Sequence, residues 1–94
     1  MTEPPAGWSV IINEAMRGTL GREIVQILPA DSYEHAQSVA EWVAVNHKPR
    51  YPLRPERRDV FRVDDNSWVV QVTGAMRTYY FTVTIVRWIG TYPQ

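Results

Sequence analysis

Alternation of apolar and polar positions is most regular near the end of the chain. From Thr78 to Ile89, Tyr79, Phe81, Val83 and Ile85 share one parity, while Tyr80, Thr82, Thr84, Val86 and Trp88 share the other. A period of two places each set on its own side of a strand, so this stretch is predicted to have a core face and a mixed polar and aromatic face. Similar runs at Trp8 to Asn13, Arg22 to Leu28, Asp59 to Val63 and Trp68 to Thr73 predict four more strands. The turn signals between them are Gly18 and Gly21, Asp64-Asp65-Asn66-Ser67, and Gly74. In Arg22 to Leu28 both parities carry apolar residues, so periodicity does not choose a core face there.

Between Tyr33 and Asn46 the period lengthens. Ala36, Val39, Ala40 and Val43 recur at spacings of three and four, with Glu34, Gln37, Ser38 and Glu41 filling the rest, which predicts one amphipathic helix. Pro29 is expected to end the preceding strand, and Asp31, three residues before Glu34, is expected to cap the helix. His47 and Lys48 suit a helix C-terminus, and Pro49 forbids its continuation.

The predicted order is β-β-α-β-β-β, an α+β fold with a mainly antiparallel five-stranded sheet and one helix packed on one face. Residues 1-7 read as a flexible tail, 8-94 as a single domain and 49-57 as a proline- and arginine-rich crossover. The long final strand is placed at a sheet edge, where its unpaired backbone would invite a second copy or another protein. For 94 residues and 10.9 kDa, size scaling gives a folded surface of about 5,600 Å². One modest core fits within it, and dimerisation would add to its stability.

Ten basic and ten acidic residues cancel, so the whole molecule exerts no strong pull on nucleic acid or membranes. The charge is polarised, however. Lys48, Arg50, Arg54, Arg57, Arg58 and Arg62, against Glu56 and Asp59, make the segment from Lys48 to Arg62 net +4. As a nucleic-acid site, with Tyr51 or Phe61 stacking on bases, it would lose about five decades of affinity per tenfold rise in salt on duplex DNA. Pro49, Pro52 and Pro55 recur every third residue, which would align their rings on one side of a polyproline II helix, and Pro49 to Arg54 fits a Pro-x-x-Pro-x-Arg ligand pattern. The preferred reading is a stiffened crossover whose arginines pair with Glu34, Glu41 or Asp59.

No cysteine is present, which removes disulfides, thiolate nucleophiles and the usual structural zinc ligands. Asp31 and His35 can touch across one helical turn, but no Gly-x-Ser-x-Gly and no glycine-rich phosphate loop accompanies them. The expectation is no catalysis, no cofactor and no metal. With no basic and apolar leader and no long apolar span, the expected setting is the cytoplasm, without membrane binding.

Two features remain for recognition. Trp8 to Arg17 aligns on Trp68 to Arg77 with matches at Trp, Val, Ala, Met and Arg, so two hairpin loops share an Ala-Met-Arg signature. Met16, Arg17, Met76 and Arg77 would then present adaptable apolar and guanidinium groups at two loop tips, unless each methionine plugs the end of the core. Tyr80 and Trp88 lie on the strand face not assigned to the core, where aromatics act as binding anchors. The expected function is therefore a small non-catalytic protein-interaction module, a regulator, inhibitor or immunity-type protein, binding a partner protein or itself. The alternative is a nucleic-acid-binding domain using the basic segment.

Overall fold

A computed structural model describes residues 7–15 and 21–94. The elements are β1 (Trp8–Ala15), β2 (Arg22–Ala30), α1 (Tyr33–Asn46), β3 (Pro55–Asp64), β4 (Ser67–Gly74) and β5 (Thr78–Arg87), in the predicted order. All five strands form one antiparallel sheet in the order β2-β1-β5-β4-β3, with α1 across one face.

The parity read in the last strand is the parity observed. Phe81, Val83 and Ile85 point under the helix beside Val10 and Ile12 of β1 and Trp68, Val70 and Val72 of β4, and all eight are buried. Ala36, Ala40, Val43 and Ala44 meet them from α1. Three of these four are alanines, so the helix lies close to the sheet. Fully burying residues such as Phe81 or Ile12 contributes about 1.5–3 kcal/mol each.

The edge position expected for the last strand is not found: β5 is the central strand, flanked by β1 and β4. Its alternating core residues sit at the middle of the helix-covered face, and the N-terminal hairpin closes on its free side through pairs from Trp8↔Arg87 to Glu14↔Phe81. The edges are β2 and β3. Pro29 does not end β2, which runs on to Ala30; on an edge strand the N–H that proline lacks can face away from the ladder without breaking a pair.

That extension moves the helix start. The N-cap is Ser32, not Asp31: its Oγ accepts the His35 N–H at 3.0 Å, and its carbonyl accepts from the Ala36 N–H at 2.9 Å. Asp31 instead donates its N–H to His35 Nδ1 at 3.0 Å. At the far end His47 turns to extended backbone while its N–H still bonds the Val43 carbonyl at 2.7 Å. The Tyr33 hydroxyl reaches Asn66 Oδ1 at 2.5 Å and its ring packs on Trp8 at 4.9 Å, so the first helical turn is tied to β1 and to the β3–β4 turn.

The crossover spans fewer residues than expected, because Pro55 already pairs with Gly74 as part of β3. Within it the Tyr51–Pro52 peptide is cis, and the Pro52 ring rests on Gly74. A Cβ at Gly74 would lie 2.7 Å from Pro52 Cβ, so the absence of a side chain permits this approach. The repeating prolines therefore end as a cover packed on the β4–β5 corner and a strand start, not as one free polyproline helix.

Candidate functional site

The sheet face away from α1 is uncovered by any other element among the described residues. Register defines what it carries. One row runs Ile24, Asn13, Thr82, Val69, Phe61, and the next includes Ile27, Ile11, Thr84 and Ser67. Ile27 and Phe61 are 53% and 51% exposed, and Ile24 stands beside Ile27 at similar exposure, while Val63, exposed as well, falls in the irregularity between Arg62 and Asp64. Apolar side chains thus rise on both edge strands, with a trough of Asn13, Thr82 and Thr84 between them.

Ile24 and Ile27 are three apart yet share this face. The cause is a bulge: Ile12 pairs with Gln26 and Asn13 with Ile24, so Val25 is unmatched and the parity of β2 changes. Of the charged residues on strand positions of this face, the register gives Arg22, Arg57, Asp59 and Asp64, and Arg57 Nε lies 3.0 Å from Asp59 Oδ2.

Tyr80 stands on this face opposite Gln71, 44% exposed, as the alternation predicts. Trp88 follows the end of β5, exposed, with its N–H donating to the Gly7 carbonyl at 3.0 Å. The two are eight residues apart on one strand run, roughly 26 Å at strand rise, so they mark opposite ends of the face and not one spot. β1 and β4 both run antiparallel to β5, so their C-terminal ends share one end of the sheet. Met76 and Arg77 lie at that end, nearer Tyr80 than Trp88. Met76 is 93% exposed, so it plugs nothing. Met16 and Arg17 fall outside the described residues.

The basic segment is dispersed. Arg50 binds Glu14 and Glu23; Arg57 binds Asp59; Arg62 reaches Asp65 at 3.5 Å and lies over the Trp68 ring; Arg58 donates to the carbonyls of Ala44 and His47. Only Lys48 and Arg54 of the six lack a partner among the described residues. Of the three carboxylates expected to pair with these arginines, Asp59 does so, while Glu34 and Glu41 have no arginine partner there. Alternation also sends Arg57 to the open face and Arg58 and Arg62 to the helix side.

A polar cluster that sequence reasoning missed sits at the end of β1. Glu14 is only 5% exposed, and its Oε2 lies 2.6 Å from His47 Nε2. Its Oε1 accepts the Arg50 N–H at 3.0 Å and Arg50 Nε at 3.2 Å, and Arg50 Nη1 continues to Glu23 Oε1 at 2.5 Å. Burial alone pushes the Glu14 carboxyl up, but hydrogen bonds from the Arg50 backbone, His47 and the Arg50 guanidinium outweigh it and hold the group below its ordinary value. The hydrogen bond that Arg50 donates to Glu14 in turn raises Arg50, while burial lowers Arg58. The His47 ring packs edge-on against Phe81 at 5.0 Å.

These contacts clamp the crossover to β1. No hydroxyl or thiol nucleophile is bonded to the His47 ring among the described residues, and the adjoining cavity of about 10 Å³ has room for no more than a water. No group of three or more potential metal ligands gathers among the described residues. The signal for Glu14 was present: Val10, Ile12 and Glu14 share parity, which carries a carboxylate onto the buried face.

Two open grooves of about 550 and 660 Å³ flank the helix, one floored by Trp68 and Val60, the other under Pro49 and Pro52. No helix of the described residues is long and apolar enough to cross a membrane. No protein family, no curated protein and no solved structure matches this chain.

Proposed function

We propose that this protein is a small non-catalytic interaction module, of the regulator, inhibitor or immunity type, which binds a protein surface through the open face of its sheet. The observation that supports this most is the set of half-exposed apolar side chains on both edge strands, Ile24 and Ile27 on β2 and Phe61 on β3, with Tyr80 on the central strand. An antiparallel sheet that faces water alternates apolar inside with polar outside; here the outer face carries exposed apolar side chains on both edge strands, and its charged residues, Arg22, Arg57, Asp59 and Asp64, cancel. Tyr80 and Trp88 supply the aromatic anchors at its two ends.

The nucleic-acid reading draws less support, because Arg50, Arg57, Arg58 and Arg62 already have partners within the chain. The aromatics beside the basic segment do not form a base platform either: Tyr51 packs on Tyr79 at 5.6 Å, while Phe61 belongs to the open face.

The test is retrieval of partners from host extract by tagged protein, comparing wild type with Phe61→Lys and Tyr80→Lys, and with Trp42→Lys on the exposed side of the helix. Recovery of a stoichiometric protein that survives nuclease and a rise from about 50 to about 200 mM salt, and that is lost only in the sheet-face variants, is expected. Recovery of nuclease-sensitive material that disappears with salt would favour the basic segment instead.

A further inference from the structure

The molecule is thin. Its extents are 43 × 31 × 21 Å and its radius of gyration is 14.3 Å, against about 12.4 Å for a compact domain of this length. It exposes 6947 Å², against about 5,600 Å² for a folded monomer of this mass. The surplus, about 1,300 Å², exceeds the roughly 800 Å² that each partner contributes to an ordinary specific interface. A two-layer slab with one uncovered sheet face, together with the exposed segment that follows β5, moves all three quantities in the same direction.

We propose that the occupant of the open face is a second copy of this chain, the two sheets stacked face to face in a four-layer helix, sheet, sheet, helix dimer. The inference rests on reading that face as an interaction surface, and three observations choose the occupant. The first is area: removing about 800 Å² from each copy takes away more than half of the surplus over the surface expected for its mass.

The second is charge. Arg57 and Asp59 satisfy each other, leaving Arg22 at one corner and Asp64 at the diagonally opposite one, so the face carries no net charge with which to select an acidic or a basic partner. Its complement is another apolar, threonine-bearing sheet face of the same length and twist. The strand order supplies the match, because β2 and β3 stand at equal removes from β5. A two-fold axis running along β5 between the sheets brings the apolar margin on β2 of each copy over that on β3 of the other, an isologous contact. Thr82 and Thr84 of the two central strands then face each other within the ~10 Å spacing of stacked sheets.

The third is the condition of the edges. β2 carries Pro29 and a bulge, while β3 is charged along its length at Glu56, Arg57, Arg58, Asp59, Arg62 and Asp64 and is irregular near both ends. Both bear the devices that block strand-to-strand addition, so the face remains as the route of association.

Sedimentation velocity from about 5 to about 200 µM, a range that brackets weak specific association, tests this on the full chain. Wild type should sediment at twice 10.9 kDa in the upper part of the range. Ile24→Lys and Phe61→Lys should each raise the dissociation constant by about tenfold or more, since they set a cation in an apolar row of the contact, and Trp42→Lys should leave it unchanged. Both sheet-face side chains are half exposed in the single chain, and circular dichroism checks that the variants fold. Wild type sedimenting at 10.9 kDa throughout, or a dimer indifferent to both sheet-face changes, overturns the proposal. A monomer that still retrieves another protein in a Phe61-dependent manner refutes self-pairing alone, whereas a monomer without such retrieval refutes the interaction reading as well.

Discussion

Replacing Glu14 by Gln removes the charge around which one end of the fold is organised. The carboxylate is buried and accepts from His47 Nε2, the Arg50 N–H and Arg50 Nε at 2.6, 3.0 and 3.2 Å. Hydrogen bonds to a charged group contribute about 1.5–3 kcal/mol each, but they are not independent. The Arg50 side chain is half exposed and keeps Glu23, and the amide oxygen can still accept from the Arg50 N–H, so the loss should total about 2–4 kcal/mol. For a domain of this size that is a fall of about 10–25 °C in melting temperature. Urea unfolding of both proteins at neutral pH measures the difference.

The same pair of curves carries a pH test. The folded-state pKa of Glu14 lies below its ordinary value of 4.5, so folding binds fewer protons than unfolding, and the stabilisation is fully present above that value. It should disappear as the pH falls through the folded-state pKa, and the gap between wild type and Glu14→Gln should narrow with it. A difference below about 0.5 kcal/mol at neutral pH, or a gap that widens on acidification, would refute the assignment of Glu14 as the clamp.

Gly74→Ala should cost about 1–3 kcal/mol in urea unfolding, because the new methyl meets Pro52 Cβ at 2.7 Å and the Arg54 carbonyl at 3.3 Å, and neither is a flexible side-chain end. Ser32→Ala should cost about 1 kcal/mol through the lost N-cap bond, whereas Asp31→Ala should cost less, reversing the order expected from the acidic spacing alone. Arg58→Met should destabilise by about 1–3 kcal/mol, since the carbonyls of Ala44 and His47 both lose a donor, while Arg54→Ala should change stability by less than about 0.5 kcal/mol. Fluorescence anisotropy with labelled duplex DNA should show no binding that persists to about 150 mM salt.

The sequence disclosed the elements wherever a single local rule acted. The parity of Tyr79 to Val86, the three- and four-residue spacing of Ala36, Val39, Ala40 and Val43, and the turn residues near Asp65 each depend on neighbours within one strand, helix or loop, and each predicted what is found. Strand order was hidden because it depends on which strands meet. Nothing between Thr78 and Arg87 announces that β1 will close on its free side. The face of β2 was hidden for a different reason: one unmatched residue, Val25, reverses parity midway, so no single phase fits Ile24, Ile27 and Leu28 together.

Of the candidate site, Tyr80 is legible from alternation, but the apolar margin on β2 is not, and the sequence places Phe61 in a strand and beside the basic segment without choosing the face it occupies. The arginines between 48 and 62 were legible as a charge and illegible as a set of pairs. Glu14 and Glu23, which take Arg50, lie more than twenty-five residues away in sequence. Deciding which cations are free needed the fold.

The central claim is that the open sheet face is covered when the protein is assembled, and the most direct measurement is hydroxyl-radical footprinting of the aromatic side chains over a range of protein concentrations. Phe61 and Tyr80 should lose reactivity as concentration rises from about 1 to about 200 µM, a span that takes a weak dimer from largely dissociated to largely formed, while Trp42 stays reactive throughout. Unchanged reactivity of Phe61 and Tyr80 across that range, or protection that appears at Trp42 instead, would contradict the account.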